Sequence, residues 1–118
     1  MMENLFKAII GEQLSSVEFV QDYLQLHFDG NTLTFYSWPE INLQTIIYKV
    51  GDISYRNALC EMISHKIIKV ELLENDKVEF FFEEDSCVTL RLVRNESNIG
   101  LPEFLYFRGV EKEWFVLD

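Results

Sequence analysis

The residue pattern predicts an α+β fold: two related helix-plus-antiparallel-strand units forming a mostly antiparallel sheet, with two short helices on one face. Three observations lead there. Apolar and polar residues alternate strictly over several short segments, the signature of half-buried strands. Two other segments carry apolar residues at helical spacing instead. The second half of the chain, finally, reads as a second copy of the first.

Taken in order, NLFKAII places Leu5, Ala8 and Ile9 on one helical face, with Asn4 or Glu3 as cap. Alternation then begins. Val17 and Phe19, followed by Leu24, Leu26 and Phe28, point to the core, and Ser16, Glu18, Tyr23, Gln25 and His27 point to solvent. Turn chemistry separates the strands at Gln21-Asp22 and at Asp29-Gly30-Asn31, the strongest hairpin signal in the chain. A third strand holds Leu33 and Phe35, and the β-branched stretch from Ile41 to Val50 reads as a fourth.

The second copy opens with YRNALCEMI, a helix with Ala58, Met62 and Ile63 inward and Ser54 as cap. Ile68, Val70, Leu72, Val78, Phe80 and Phe82 are expected inward, and Lys69, Glu71, Lys77, Glu79 and Phe81 outward. Turns are expected at Glu74-Asn75-Asp76 and Glu84-Asp85-Ser86. Val88, Leu90 and Leu92 make a third strand, and Glu113 to Leu117 answers to the fourth. Asn95 to Leu101, polar and carrying Gly100, reads as the longest loop.

The correspondence between the copies is residue by residue. Ile10, Leu14, Val17 and Glu18 match Ile63, Ile67, Val70 and Glu71; Leu24, Leu26 and Phe28 match Val78, Phe80 and Phe82. Each copy also reaches a Pro-Glu pair, Pro39-Glu40 and Pro102-Glu103. With 118 residues the chain is expected to be one domain, 1–118, with repeats at about 3–50 and 55–118.

Twenty acidic residues against ten basic ones give a net charge of −10. That balance disfavours nucleic acid or an anionic membrane as partner and favours a basic protein. The N-terminus lacks the basic region and apolar core of a signal peptide, and no stretch is long enough to span a bilayer, so a cytoplasmic protein is expected. Cys60 and Cys87 are expected as reduced, buried packing residues.

No residue set signals catalysis. Neither histidine, His27 nor His65, lies in a nucleophile motif, the glycines are isolated, and no spacing of His, Cys or carboxylates matches a metal site. No catalytic residue, metal ligand or cofactor is assigned. What stands out is charge: between Glu71 and Asp85 there are seven acids, Glu71, Glu74, Asp76, Glu79, Glu83, Glu84 and Asp85, against the single base Lys77. The first copy keeps Glu18 and adds Tyr23 and Tyr36 as apolar anchors. Aromatic anchors among complementary charges are a common interface composition. The expected partner-binding set is therefore Glu18, Tyr23, Tyr36, Glu71, Glu74, Asp76, Glu79, Glu83, Glu84 and Asp85.

In size, in acidity and in the pattern of LSSVEFVQDYLQLHFDG and IIKVELLENDKVEFFFEED, the chain resembles the immunity proteins of bacterial contact-dependent growth inhibition systems. The resemblance implies a small cytoplasmic inhibitor that binds and neutralises a toxin domain, a nuclease among the possibilities. No individual binding residue is carried over by it. The other reading from sequence is a non-enzymatic structural or ligand-binding module, with a homodimer through an open edge strand as one form.

Overall fold

Alternation leaves every strand with one apolar face, and a sheet built of such strands must have that face covered. In the computed structural model, which describes residues 2–73, 76–94 and 103–118 (the backbone alone for 2–5), the cover is a second sheet. One sheet contains β1 (Ser16–Val20), β2 (Tyr23–Phe28), β3 (Asn31–Phe35), β9 (Leu105–Arg108) and β10 (Trp114–Leu117), in that order across the sheet. The other runs β5 (Ile46–Tyr48), β4 (Glu40–Leu43), β8 (Ser86–Arg91), β7 (Lys77–Phe82) and β6 (Ile67–Leu73). Every neighbouring pair is antiparallel.

The two sheets are threaded alike. A three-stranded meander in one sheet is followed by a hairpin that crosses to the other: β1-β2-β3 sends β4-β5 across, and β6-β7-β8 sends β9-β10 back. Where the meanders begin, Gln13 is opposed to Lys66. Around that pair the main-chain bonds come in matched couples: Leu14 N to His65 O (2.9 Å) with Ile67 N to Glu12 O (3.0 Å), and Gly11 N to Ile67 O (2.8 Å) with Ser64 N to Leu14 O (2.7 Å). Gly11 and Ser64 share a left-handed backbone, φ 85° and 84°. The Pro-Glu pairs do not share this geometry. Glu40 lies opposite Thr89 and Tyr106 opposite Thr34, so the ladder sets Glu40 against Tyr106 rather than Glu103, and Pro102 is outside the described residues.

Aromatic side chains fill the space between the sheets. Phe28 stacks on Phe82 with ring centroids 6.1 Å apart, and Phe35 meets Phe80 edge-on at 5.8 Å. Phe6 contributes a third bridge, edge-on to Phe80 of one sheet and Phe115 of the other. All but Phe115 are buried. Large rings in offset or edge-on contact add to the burial of apolar surface that holds such a core together.

Two expectations about architecture are corrected here. There are two sheets rather than one, because two apolar sheet faces satisfy each other and leave no face for helices to cover. Among the described residues there is also one α-helix rather than two, α1 (Tyr55–Glu61). The N-terminal segment Met2–Ile9 is a 3-10 helix. In that tighter coil residues three apart eclipse, so Phe6 and Ile9 enter the core together while Ala8 stays exposed. Among the described residues no helix is long and apolar enough to cross a membrane.

Smaller corrections follow from local geometry. Ile41 to Val50 is a hairpin, broken at Gln44-Thr45, where both residues take left-handed φ of 49° and 78°. Ile68 is exposed rather than inward, because the β6 register shifts between Ile67 and Lys69 and turns its side chain out. Cys60 is exposed on α1, whose inward positions are Tyr55, Ala58 and Leu59. Val17 is half-buried where Val70 is buried, and Glu71 is half-buried where Glu18 is exposed. The loop expected at 95–101, and residues 74 and 75 of the turn expected between the two strands of the second hairpin, lie outside the described residues.

Candidate protein interaction surface

Outward residues in register form rows across each sheet. On the β1-β10 sheet one row is Glu18, Gln25, Thr34, Tyr106 and Val116. Tyr23 and Tyr36 lie beside it with ring centroids 5.9 Å apart. Burial, and after it the Glu103 carboxylate, push the Tyr36 phenol above its ordinary value. His27 links Glu18 (Nε2 to Oε1, 3.1 Å) to Thr32 (Nδ1 to Oγ1, 3.0 Å). The order carboxylate, imidazole, hydroxyl is that of a nucleophilic triad. It lies on an open sheet face, however, and none of the three lines either depression described below. Cross-strand pairing accounts for it.

The second hairpin occupies the opposite outer face. Glu71 faces Glu79 across β6 and β7, and the same row continues through Thr89 to Glu40. Bases from the flanking positions meet these acids: Lys69 lies 3.5 Å from Glu71, Lys77 3.9 Å from Glu79, and Arg91 and Lys49 3.4 and 4.0 Å from Glu40. The flat face is thus neutralised. Uncompensated acid remains at the ends of the hairpin. Asp76 is exposed at one end, and Glu83, Glu84 and Asp85 make the β7–β8 turn at the other, with no ion pair to any of them among the described residues. Glu83 accepts the main-chain N–H of Lys66 (2.9 Å), which fixes the turn against β6.

Next to that turn the outer face mixes apolar side chains with polar ones. Lys69, Phe81, Cys87, Asn42 and Ile47 form one row from β6 to β5, and the bulged Ile68 adds to it. A shallow depression of about 510 Å³ lies here, with Phe81, Ile68 and Cys87 among its lining and Glu84 and Asp85 at its rim. The ammonium of Lys69 sits 4.8 Å from the centroid of Phe81, so this ring already holds a cation on its face. Burial, ahead of the nearby polar and charged groups, pushes the Cys87 thiol up. A thiol shifted in that direction is a weaker nucleophile.

A second depression, about 480 Å³, lies between the β1–β2 turn and the loop before α1, lined by Phe19, Trp38, Val50, Ile53, Tyr55 and Arg56 among others. Its aromatic wall is fixed by the Tyr55 hydroxyl, which donates to Pro39 O at 2.6 Å, and by the Trp38–Tyr55 edge contact. Its charged groups, Asp52 and Arg56, are of opposite sign. It has no acidic character to set beside that of the β7–β8 turn.

The expected binding set is therefore divided. Glu18, Tyr23 and Tyr36 lie on one outer face and Glu71 and Glu79 on the other, with the core between them; Asp76 is at one end of its hairpin, and Glu83, Glu84 and Asp85 are at the other. Glu74 is outside the described residues. Sequence reasoning missed Phe81, Ile68, Cys87 and Ile47 as a group. The run KVEFFFEED held a signal, since Phe81 is an outward aromatic next to acids. Among the described residues no three His, Cys, Asp or Glu side chains gather as a metal site would require. Compared with protein families, curated proteins and solved structures, the chain has no significant match in any of the three.

Proposed function

We propose that this chain is a non-enzymatic immunity protein, a small acidic inhibitor of the bacterial cytoplasm that binds and neutralises a basic toxin domain, with a nuclease as the partner whose chemistry fits best. The observation that carries the reading is the juxtaposition at one end of the β6-β7-β8 meander. Two carboxylates without an ion pair among the described residues, Glu84 and Asp85, border a depression lined by Phe81 and Cys87, and Glu83 precedes them in the same turn.

The chemistry is complementary to a nuclease. A protein that holds a phosphate backbone presents Lys and Arg in a cleft, and an acidic turn can enter that cleft in place of the phosphates. The apolar floor supplies what charge cannot, a desolvated contact that slows dissociation. Phe81 can accept an incoming guanidinium on the ring face that Lys69 now occupies. Long-range attraction by a chain of net charge −10 speeds encounter, to as much as ~10⁸ to 10⁹ M⁻¹s⁻¹ at low salt, which suits an inhibitor that must act before the toxin does.

Co-expression with the product of the neighbouring gene, followed by co-purification and a viability assay, tests the proposal. A stable complex and rescued growth are expected. Failure to bind a basic neighbour that kills the cell when expressed alone would count against it.

A further inference from the structure

We propose that a second copy of this chain pairs with β5, strand against strand and antiparallel about a twofold axis at Ile47, joining the β5-β6 sheets of two copies into one. This contact does not depend on the toxin-binding reading, although its axis residue, Ile47, ends the row that crosses the depression and Thr45 lines it. The inference comes from comparing the four edge strands β1, β6, β10 and β5, since an unprotected edge offers unpaired N–H and C=O groups to any other strand.

Three of the edges are guarded. The starts of β1 and β6 are tied to each other by the four main-chain bonds around Gln13 and Lys66. The β6 edge is further bent by its register shift, and β1 paired about its own centre would bring Glu18 against Glu18. Paired about its middle, β10 would set Glu113 against Asp118 at each end. Like charges directly opposite oppose pairing.

By contrast β5 has neither bulge nor acid. In the antiparallel self-pairing Ile47 faces Ile47, Ile46 faces Tyr48 and Thr45 faces Lys49, with no like-charged couple. The stretch 46–53 also leaves Ile46, Ile47, Val50 and Ile53 in solvent, the last of them 100% exposed. Within this stretch the one acid, Asp52, is matched in number by the one base, Lys49, while the acidic β7–β8 turn adjoins its other end, where Gln44 N–H donates to Asp85 O at 3.0 Å. A second copy is therefore the occupant the strand fits. An isologous contact of this kind closes on itself as a dimer.

Sedimentation velocity over a concentration series tests it with the unmodified chain. A reversible dimer is expected, and it should tighten as salt rises, because screening relieves the repulsion between two acidic copies. Ile47→Lys should abolish the dimer while the far-ultraviolet spectrum and thermal midpoint show the fold intact. With Cys60→Ser and Cys87→Ser as background, Ile47→Cys should oxidise to a covalent dimer, since facing residues in an antiparallel pair have Cα atoms about 4.5 to 5.5 Å apart, within disulfide reach. Glu18→Cys in the same background should not. A monomer at every concentration up to the solubility limit would overturn the proposal. So would a dimer that survives Ile47→Lys and resists cross-linking through position 47, or growth into filaments, the mark of β5 meeting a different edge.

Discussion

Phe28 and Phe82 lie on different sheets and stack across the core with their planes 23° apart, so they should be energetically coupled. Each is almost wholly buried, at 0% and 2% exposure. Replacing either with Ala should cost about 3 to 5 kcal/mol through lost transfer energy and the cavity left behind. A chain of this size has about 6 to 18 kcal/mol of total stability at ~0.05 to 0.15 kcal/mol per residue, so the double Ala variant risks not folding. Leu is the better probe, because it removes the ring and keeps most of the apolar volume. In a cycle of Phe28→Leu, Phe82→Leu and the double variant, a stacked pair should show a coupling of about 0.5 to 1.5 kcal/mol. Urea titration followed by tryptophan fluorescence gives the three free-energy differences. Additivity to within ~0.3 kcal/mol would mean the rings do not touch and the two sheets do not face each other as described.

Two further predictions concern single sites. Tyr55 is buried and its phenol is raised well above the ordinary value by desolvation, while in the unfolded chain it titrates near ~10. Above that pH the unfolded chain loses its proton first, so the folded state is weakened as pH rises from about 10 toward the folded value, by up to ~1.4 kcal/mol per pH unit. Tyr55→Phe should be less stable at pH 7, by about 1 to 3 kcal/mol for the lost bond to Pro39, yet the gap to the unmodified chain should narrow above pH 10. A gap that is constant or widens in alkaline urea titrations would contradict this. At the β4–β5 turn, Gln44→Asn with Thr45→Gly supplies the residues that two consecutive left-handed positions favour, and should raise stability by about 1 kcal/mol at low protein concentration. A lower denaturant midpoint would show that those backbone angles are wrong.

Much of the strand structure is legible in the sequence, because alternation is a local property. Leu24, Leu26 and Phe28, and Val78, Phe80 and Phe82, fall on the buried faces their spacing predicts. The hairpin at Asp29-Gly30 carries its own turn chemistry. Gln44-Thr45 does not, since neither residue favours φ above zero, and a hairpin read as one strand is the result. The number of sheets depends on which apolar face meets which, and nothing local encodes that. The same reason explains part of the charge pairing. Lys69 and Lys77 meet Glu71 and Glu79 as same-strand neighbours two residues apart, which alternation alone encodes, but Arg91 and Lys49 reach Glu40 only because the fold brings their strands together. The acids of the β7–β8 turn meet the main chain of Lys66 and Gln44 but form no ion pair with a side-chain base among the described residues.

The most direct test of the binding account compares two surfaces under one change in net charge. Stopped-flow association with the purified basic product of the neighbouring gene would be measured against salt for the unmodified chain, for Glu84→Lys, and for Glu18→Lys on the opposite face. Both variants alter net charge equally, and exposed substitutions of this kind usually shift stability by less than ~0.5 kcal/mol. The account predicts that Glu84→Lys slows association, flattens its salt dependence and speeds dissociation, while Glu18→Lys produces only the smaller loss in rate that the changed net charge brings. Equal effects from the two, or the larger effect from Glu18→Lys, would contradict it.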